Sequence, residues 1–386
     1  MIISFFSNYL THHQIPFCLE MCRQENVEFY FVSTQPMEEE RKNGGWAFAE
    51  EYPFEIKAYA EETAKRKAFE LAEKSDVMII GSAPEIYVKH RMKHAAFPLT
   101  LRYSERIYKG GRWRVLSPRG AILRFKTFFT YLGKPLYMLC ASAYTAGDLA
   151  ILGSYLGRCF KWGYFPENKV YENVEEVIFS KQQHSILWVA RMIDLKHPEM
   201  AIQLADRLNS EGYDFALDMV GDGPLLDEMK ALIQKHSLQK HVNLLGTLSP
   251  EAVRQQMESH SIFLFTSDQH EGWGAVLNEA MNSACAVVAN DQIGSVPFLL
   301  KNSENGYTYH KSFEQLYQQV KYLLDHPEEV ARVGKNAYYT ITDEWSAAVA
   351  ADRLIALCNK LLKGEKQYFA SGPCSKAKVF LKKERA

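Results

Sequence analysis

The sequence predicts an α/β protein with two domains, each built around a parallel, doubly wound sheet. Three observations predict it: short apolar runs alternate with helical segments, this alternation occurs twice along the chain, and a polar stretch separates the two series. Strands that alternate with helices need crossover connections, and these produce parallel sheets. At 386 residues the chain also exceeds the length over which one core usually grows.

In the first half, apolar runs bounded by polar residues predict strands at 1–7, 27–34, 75–82 and 135–143. The charged segment 60–74 predicts a helix between two of these strands. Together these elements define a first domain over residues 1–168.

The polar segment 169–184 predicts a linker, and a second series of apolar runs beyond it defines a domain over 185–345. The strands predicted there are 185–190, 215–221, 241–246, 261–266 and 285–290. A long amphipathic helix followed by a basic tail of uncertain order forms a C-terminal segment over 346–386. Ligands bind beyond the carboxyl ends of parallel strands, so we expect the site in a cleft between the domains.

Composition narrows the function classes. Hydrophobic residues at 47% and charged residues at 24% are typical of a soluble globular protein, and a net charge of −1 disfavours a dedicated nucleic-acid binder. No apolar stretch reaches the roughly 20 residues of a membrane-spanning helix, and the opening residues predict a strand, not a signal peptide. Seven scattered cysteines indicate free thiols in a reducing cytoplasm. With no second Cys/His pair and no DxD motif, we expect no metal.

The stretch SDQHEGWGAVLNEAMNSACAVVAND (267–291) predicts a loop, a helix and a strand after the strand at 261–266. Gly272 and Gly274 allow a ligand to approach the backbone closely. The helix N-terminus presents unpaired N–H groups and a partial positive charge, which favours an anion. On the residues alone, a Glu271 that complements the helix dipole and a solvated Glu279 are an equally good interpretation, so the pair of carboxylates does not decide the function by itself.

The rest of the second half decides between these interpretations. LWVARMIDLKHPEMAIQLA, LDMVGDGPLLDEMKAL, VNLLGTLSPEAV and the stretch quoted above occur in this order over about 130 residues. In this order and spacing they resemble the retaining nucleotide-sugar glycosyltransferases of family 4, which have the GT-B fold with two Rossmann-like domains. Glu271 and Glu279, eight positions apart, match the E-x7-E signature of that family. The resemblance covers the second domain well and the first mainly in pattern.

The resemblance implies a role for each site residue. Arg191 and Lys196 hold the diphosphate without a metal, Glu271 lies near the donor sugar and Glu279 accepts from the ribose hydroxyls. It further implies that the leaving phosphate oxygen takes the acceptor proton, with retention of anomeric configuration. The nucleotide sugar is a substrate, so no cofactor is expected. The other expected donor-binding residues are Gly272, Trp273, Gly274, Ala275, Val276, Leu277, Gly246 and Thr247. Trp273 is equally consistent with packing, and GDGP (221–224) with an ordinary turn.

The first half departs from the family pattern. Relatives carry a Gly-Gly pair after the first strand and a histidine after the fourth, whereas this chain has NYLTHHQ (8–14) and GSAPEIYVKH (81–90) there. Candidate contacts for the sugar or the acceptor are therefore Asn8, His12, His13 and Glu105. Surface or capping histidines remain the alternative.

Positive charge and aromatic residues dominate the region 89–134. This pattern favours binding to an anionic membrane surface over binding to nucleic acid. It therefore predicts a location at the inner face of the plasma membrane. A solvated basic face is the alternative. The sequence thus predicts a glycosyltransferase that uses a saccharide or lipid-linked acceptor in bacterial surface-polysaccharide synthesis. The alternatives are a catalytically silent nucleotide-sugar-binding subunit, or a sugar-nucleotide epimerase or phosphorylase on the same fold.

Overall fold

The chain divides into two compact units in a computed structural model that describes residues 1–38, 51–111 and 117–380. The first unit is Met1–Glu167 with Ser346–Ala386, and the second is Asn168–Trp345. Each is described by itself below. Within the described residues, no helix is long and apolar enough to cross a bilayer.

The first unit contains a parallel sheet in the order β3-β2-β1-β4-β5-β6-β7. These strands are Ile2–Ser7, Glu28–Ser33, Glu55–Lys57, Val77–Ile80, Thr100–Ser104, Leu136–Cys140 and Cys159–Lys161. The helices that accompany them are α1 Ile15–Cys22, α2 Glu62–Lys74, α3 Ile86–His94, α4 Pro118–Thr127 and α5 Thr145–Ile151. The central strands are apolar on both faces because helices cover both sides of a parallel sheet.

The second unit repeats this plan with a parallel sheet in the order β10-β9-β8-β11-β12-β13. These strands are Gln182–Val189, Ala216–Val220, Val242–Gly246, His260–Phe265, Ala286–Asn290 and Tyr307–Tyr309. Its helices are α6 Val174–Ser180, α7 Pro198–Ser210, α8 Leu226–Lys235, α9 Pro250–Ser259, α10 Val276–Asn282, α11 Val296–Leu299, α12 Phe313–Asp325 and α13 Pro327–Tyr339. The parallel strands predicted from the apolar runs are therefore present.

The predicted linker differs from the structure, because most of 169–184 is regular structure. Helix α6 begins after Asn173, whose side chain accepts a hydrogen bond from the N–H of Glu175. Lys181 is buried and donates to the carbonyls of Met257 and His260 at 2.7 and 3.0 Å. A helix of seven residues is too short to show a clear 3.6-residue period, so its sequence resembled a polar loop.

The C-terminal segment belongs to the first unit. Helix α14 (Ala347–Leu362) packs against α1, and Gln24 Nε2 donates to Asp352 Oδ1 at 2.8 Å. The chain then runs antiparallel beside β7, where Lys161 exchanges backbone hydrogen bonds with Cys374 and Ser375 at 2.8 and 2.7 Å. This part of the tail, of uncertain order in the sequence, covers an edge strand that would otherwise present unpaired backbone groups.

Candidate functional site

Two loops meet at the carboxyl edge of the second sheet. One follows β8 and carries Arg191 and Lys196, and the other follows β11 and carries Glu271. These strands are neighbours where the strand order reverses, which is where doubly wound sheets bind ligands. The N–H of Asp268 donates to the carbonyl of Leu195 at 3.0 Å, so the backbones of the two loops are joined.

An ion pair lies across these loops. Lys196 Nζ contacts Glu271 Oε2, and both side chains are less than one-fifth exposed. The Lys196 carbonyl accepts from Thr266 Oγ1 at 2.5 Å, and this hydroxyl accepts from Trp188 Nε1 at 2.9 Å. Arg191 lies on the same turn and is exposed. The structure thus brings a cation and a carboxylate, predicted to serve different parts of one donor, into contact.

The turn before α10 requires glycine at one position. Gly274 has a φ of +82°, and a Cβ there would lie 2.5 Å from Phe265 Cζ. Within the described residues, no backbone group accepts from the N–H groups of Gly274, Ala275 or Val276. The N–H of Leu277 donates to the carbonyl of Gly274 at 3.0 Å.

The Trp273 side chain, predicted as a donor contact, is instead a packing element. Its indole is buried beside Trp345 and Phe298, with ring centroids 6.0 and 6.3 Å away, and its Nε1 donates to Asn278 Oδ1 at 2.9 Å. Ser295 Oγ donates to the Trp273 carbonyl at 2.5 Å. The buried ring therefore anchors the loop at the position between Gly272 and Gly274.

Glu279 occupies the first turn of α10 in a half-buried position. Burial raises the pKa of its carboxyl to about 7, against the opposing charge of Arg254. No described residue donates a hydrogen bond to this carboxylate. A carboxylate in this state gains stability from ligand hydroxyls that donate to it.

The GDGP turn packs directly against the loop that carries Arg191. A Cβ on Gly221, whose φ is +131°, would lie 1.9 Å from the Ala190 carbonyl oxygen. The N–H of Gly221 donates to the carbonyl of Gly246 at 2.8 Å, and Thr247 follows as an exposed residue. The turn therefore supports the loop that carries Arg191, a role that its sequence alone did not indicate.

Gly221→Ala should lower the free energy of unfolding by about 2–4 kcal/mol more than Gly212→Ala does. Both glycines have positive φ, but a Cβ on Gly212 would meet nothing within 4 Å. The difference between the two variants therefore isolates the close approach to Ala190. Urea unfolding followed by tryptophan fluorescence measures it, and equal losses would contradict the packing role.

In the first unit, three of the four predicted residues form one chain of contacts. The rings of His12 and His13 lie 3.7 Å apart, and His13 stacks on Tyr164 with centroids 6.0 Å apart. Tyr164 Oη donates to Glu105 Oε1 at 2.5 Å, and Glu105 also pairs with Lys109 at 2.7 Å. Tyr164 was not identified from the sequence, because its place after β7 becomes meaningful only once the strand order is known.

The other features of this region are backbone contacts and neutral rings. The Asn8 carbonyl accepts from the N–H groups of Thr34 and Gln35, which fixes the loop to the strand that precedes them. Burial lowers the pKa of His12, and burial with the neighbouring ring lowers the pKa of His13 to about 3. Both imidazoles are therefore uncharged at neutral pH and suit hydroxyl groups better than phosphate.

No set of three or more metal-binding side chains gathers anywhere in the described ranges.

Only part of the basic region 89–134 is a charged surface. Arg91 is buried and donates to the carbonyls of Ala72, Ser75 and Leu99, each at 2.9 Å, and burial lowers its pKa to about 10. Arg102 pairs with Glu85 through two contacts of 2.7 and 3.1 Å. Residues 112–116 lie outside the described residues. Among the side chains that the structure describes in this region, the exposed lysines and arginines are Lys89, Lys93, Arg119, Lys126 and Lys134.

Comparison with known proteins identifies the second unit. Residues 171–340 match the family model described as glycosyl transferases group 1. These residues belong to that family. The matched region contains every strand of the second sheet. It also contains the loops that carry Lys196 and Glu271.

Curated relatives match less than half of the chain. The phosphatidylinositol N-acetylglucosaminyltransferase GPI3 subunit of Saccharomyces cerevisiae is 29% identical over 36% of this chain and 30% of its own length. The alpha-D-kanosaminyltransferase of Streptomyces kanamyceticus is 26% identical over 46% of this chain and 45% of its own. The chain therefore spans less than half of the length of these relatives.

Solved structures are similar over nearly the whole chain. Anabaena Alr3699/HepE, crystallised in complex with UDP, has a TM-score of 0.64 and 12% identity over 92% of this chain and 98% of its own. At this identity the likeness shows the fold alone. The predicted α/β class of the GT-B type, with two doubly wound parallel sheets, is confirmed.

Proposed function

We propose that this protein transfers a sugar from a nucleotide-sugar donor to a saccharide or lipid-linked acceptor. The observation that carries the proposal is the contact of Lys196 with Glu271 at the switch point of the second sheet, with Glu279 half-buried in the first turn of α10. The family of residues 171–340 and the transferase names of its relatives support it.

The charges suit a diphosphate leaving group. Arg191 is exposed, and Lys196 is held by its carbonyl so that its ammonium group faces the loop of Glu271. Two preorganised cations stabilise the charge that grows on the phosphates as the glycosidic bond breaks. The N–H groups of Gly274, Ala275 and Val276 supply further donors beside them.

The proposal includes retention of configuration and transfer without a metal. The leaving phosphate oxygen takes the proton of the acceptor hydroxyl, so no strong protein base is needed. Arg191 and Lys196 supply the positive charge that a divalent ion otherwise provides. Addition of EDTA should leave activity unchanged, and inhibition that Mn²⁺ reverses would contradict this part of the proposal.

The acceptor is assigned to the first unit. His12 and His13 carry no charge near neutral pH and Glu105 is anchored by Tyr164, so this cluster presents hydrogen-bonding groups suited to sugar hydroxyls. In the proposal these residues orient the acceptor, which accounts for the absence of a histidine directly after β4.

Hydrolysis of the donor without an acceptor tests the proposed function. UDP-, GDP- and dTDP-sugars are each incubated with the full-length chain, and release of the nucleoside diphosphate is measured. Slow release from at least one class is expected, with faster release when an acceptor is added. Tight binding without turnover would favour the silent binding subunit. Release of sugar 1-phosphate together with the nucleoside diphosphate, only when inorganic phosphate is added, would favour a phosphorylase.

We infer further that an anionic membrane surface at the inner face of the plasma membrane binds the first unit. Its large apolar side chains more than half exposed include Ile86, Ile122, Phe125, Leu132 and Leu156, here called the apolar patch. Tyr131 Oη donates to Glu85 Oε1 at 3.1 Å, which brings the turn before Leu132 to the start of the helix of Ile86. Thr130 Oγ1 donates to the Phe125 carbonyl at 2.8 Å, which draws Phe125 toward the same turn.

Exposed cations accompany the apolar patch. Lys126 follows Phe125, and Lys134 lies two residues after Leu132 with its carbonyl bound by Arg158 at 3.0 Å. A well-placed lysine contributes about 1 kcal/mol at an anionic bilayer, and burial of an apolar side chain contributes about 1.5–3 kcal/mol. The patch and its cations therefore favour anionic lipid over neutral lipid.

Phe125→Ser with Leu132→Ser should weaken binding to vesicles that contain phosphatidylglycerol by at least about tenfold. Phe179→Ser is the control, because Phe179 is apolar and even more exposed than Phe125 and Leu132 but lies in the second unit. Flotation with the full-length chain measures the binding. Equal binding of both variants, or equal binding to neutral vesicles, would contradict the inference.

A further inference from the structure

His197 has a backbone conformation that an L-residue rarely adopts. It follows Lys196 and precedes α7 with φ 50° and ψ 54°, in the left-handed region. Such a conformation costs about 1–3 kcal/mol for a residue other than glycine, and it persists only where surrounding contacts hold it. The cause of the strain is therefore to be found in what the side chain contacts.

The imidazole lies between two carboxylates from different elements. Its Nδ1 is 2.8 Å from Glu199 Oε1 on α7, and its Nε2 is 3.5 Å from Asp268 Oδ2 on the loop after β11. An imidazole can donate from both nitrogens only when it is protonated. The hydrogen bond to Glu199 and the charge of Asp268 accordingly raise the pKa of His197, although burial opposes them.

Asp268 is itself part of the loop that carries Glu271. Its N–H donates to the Leu195 carbonyl at 3.0 Å, and its carbonyl accepts from the N–H of Glu271 at 3.1 Å. The side-chain contact of His197 with Asp268 therefore runs beside the ion pair of Lys196 with Glu271. Both contacts join the same two loops.

We propose that protonated His197 is a positioning residue that clamps the turn of Lys196 to the loop of Glu271, so that binding of a nucleoside diphosphate depends on its charge. This inference rests on the proposed function and adds a pH dependence to that site. His197 does not touch the ligand in this account. It acts through the separation of the two loops.

The charges around His197 determine whether the clamp becomes stronger or weaker as the pH rises. Glu199 and Asp268 face it directly; His270 occupies the other side of Asp268 at 2.9 Å, and buried Tyr309 on β13 lies near Glu199. Because the pKa of His197 is raised in the clamped state, the clamp is complete at low pH and is lost as the pH rises through that pKa. Glu279 acts in the opposite sense, because its pKa of about 7 means that its carboxylate is lost as the pH falls.

The test combines calorimetry with NMR on the full-length chain. UDP, GDP and dTDP are titrated between pH 6.5 and 9.5 into the wild type, His197→Asn and Asp268→Asn. Asparagine tolerates the left-handed conformation but cannot bridge the two carboxylates as a cation. The wild type should lose affinity by about five- to tenfold on the alkaline side, whereas His197→Asn should bind weakly at every pH without this loss.

NMR titration of the histidine side chains separates the clamp from the proposed function. The His197 signal, identified by its loss in His197→Asn, should titrate above the usual 6.5, and Asp268→Asn should lower its pKa. His197→Gly serves if the asparagine variant does not fold, because glycine removes the side chain and the strain together. An unshifted His197, or an identical alkaline loss in wild type and variant, would overturn the clamp. If no diphosphate binds to the wild type, the proposed function fails, and the NMR titration still decides whether the clamp exists.

Discussion

Lys196→Ala is expected to lower the rate of sugar transfer by roughly 100-fold or more, because it removes one preorganised cation from the leaving phosphate. The loss has a second component, since Glu271 would remain mostly buried without its partner. Arg191→Ala should lower turnover by a similar factor. Within the described residues Arg191 has no ion-pair partner, so this variant leaves no buried carboxylate unpaired.

Steady-state kinetics on the full-length chain measure these losses. Lys235→Ala is the matched control, because this exposed lysine ends α8 in the same unit and lies outside the loops of the site. The double variant Lys196→Ala with Glu271→Gln separates the two components through a double-mutant cycle. Losses below about fivefold in Lys196→Ala would contradict the assignment of the lysine to the phosphates.

Glu271→Gln should lower kcat by roughly 100-fold while the affinity for the free nucleoside diphosphate stays nearly unchanged. Glu271 is assigned to the donor sugar, where positive charge develops as the bond to phosphate lengthens, so its carboxylate acts mainly in the transition state. Glutamine keeps the shape of the side chain and loses only the charge.

Glu279→Gln is the companion variant, and it should weaken binding of the nucleoside diphosphate instead of mainly lowering kcat. Glu279 is assigned to the ribose, whose contacts are similar in the ground and transition states, so this variant should weaken diphosphate binding by at least about tenfold. Calorimetry at pH 8, where the Glu279 carboxyl is mostly ionised, compares both variants. Equal loss of diphosphate affinity in the two would contradict the division of labour.

Nine strands and the site loop could be predicted because their signals are local, whereas β3, β5, β7 and β13 were not predicted. The run SIFLFT predicted β11, and Gly272 and Gly274 before the helix formers of 276–282 predicted the turn over α10. Both follow from periodicity and from glycine chemistry within a few residues. The four collinear segments then gave the family of the second unit without any knowledge of its packing.

The remaining features depend on contacts between distant residues. The Trp273 indole is buried because Trp345, distant in sequence, packs beside it. Arg91 is buried because carbonyls from two separate segments satisfy its guanidinium, which a count of positive charge cannot reveal. The bridge of His197 to Asp268 likewise joins residues 71 positions apart in sequence.

A crystal structure of the full-length chain with a bound nucleoside diphosphate tests the central claim most directly. The account predicts the phosphates within hydrogen-bonding distance of Lys196 and Arg191, the ribose hydroxyls donating to Glu279, and the Lys196 contact with Glu271 altered from that of the free protein. A diphosphate bound away from the loops that follow β8 and β11 would contradict it.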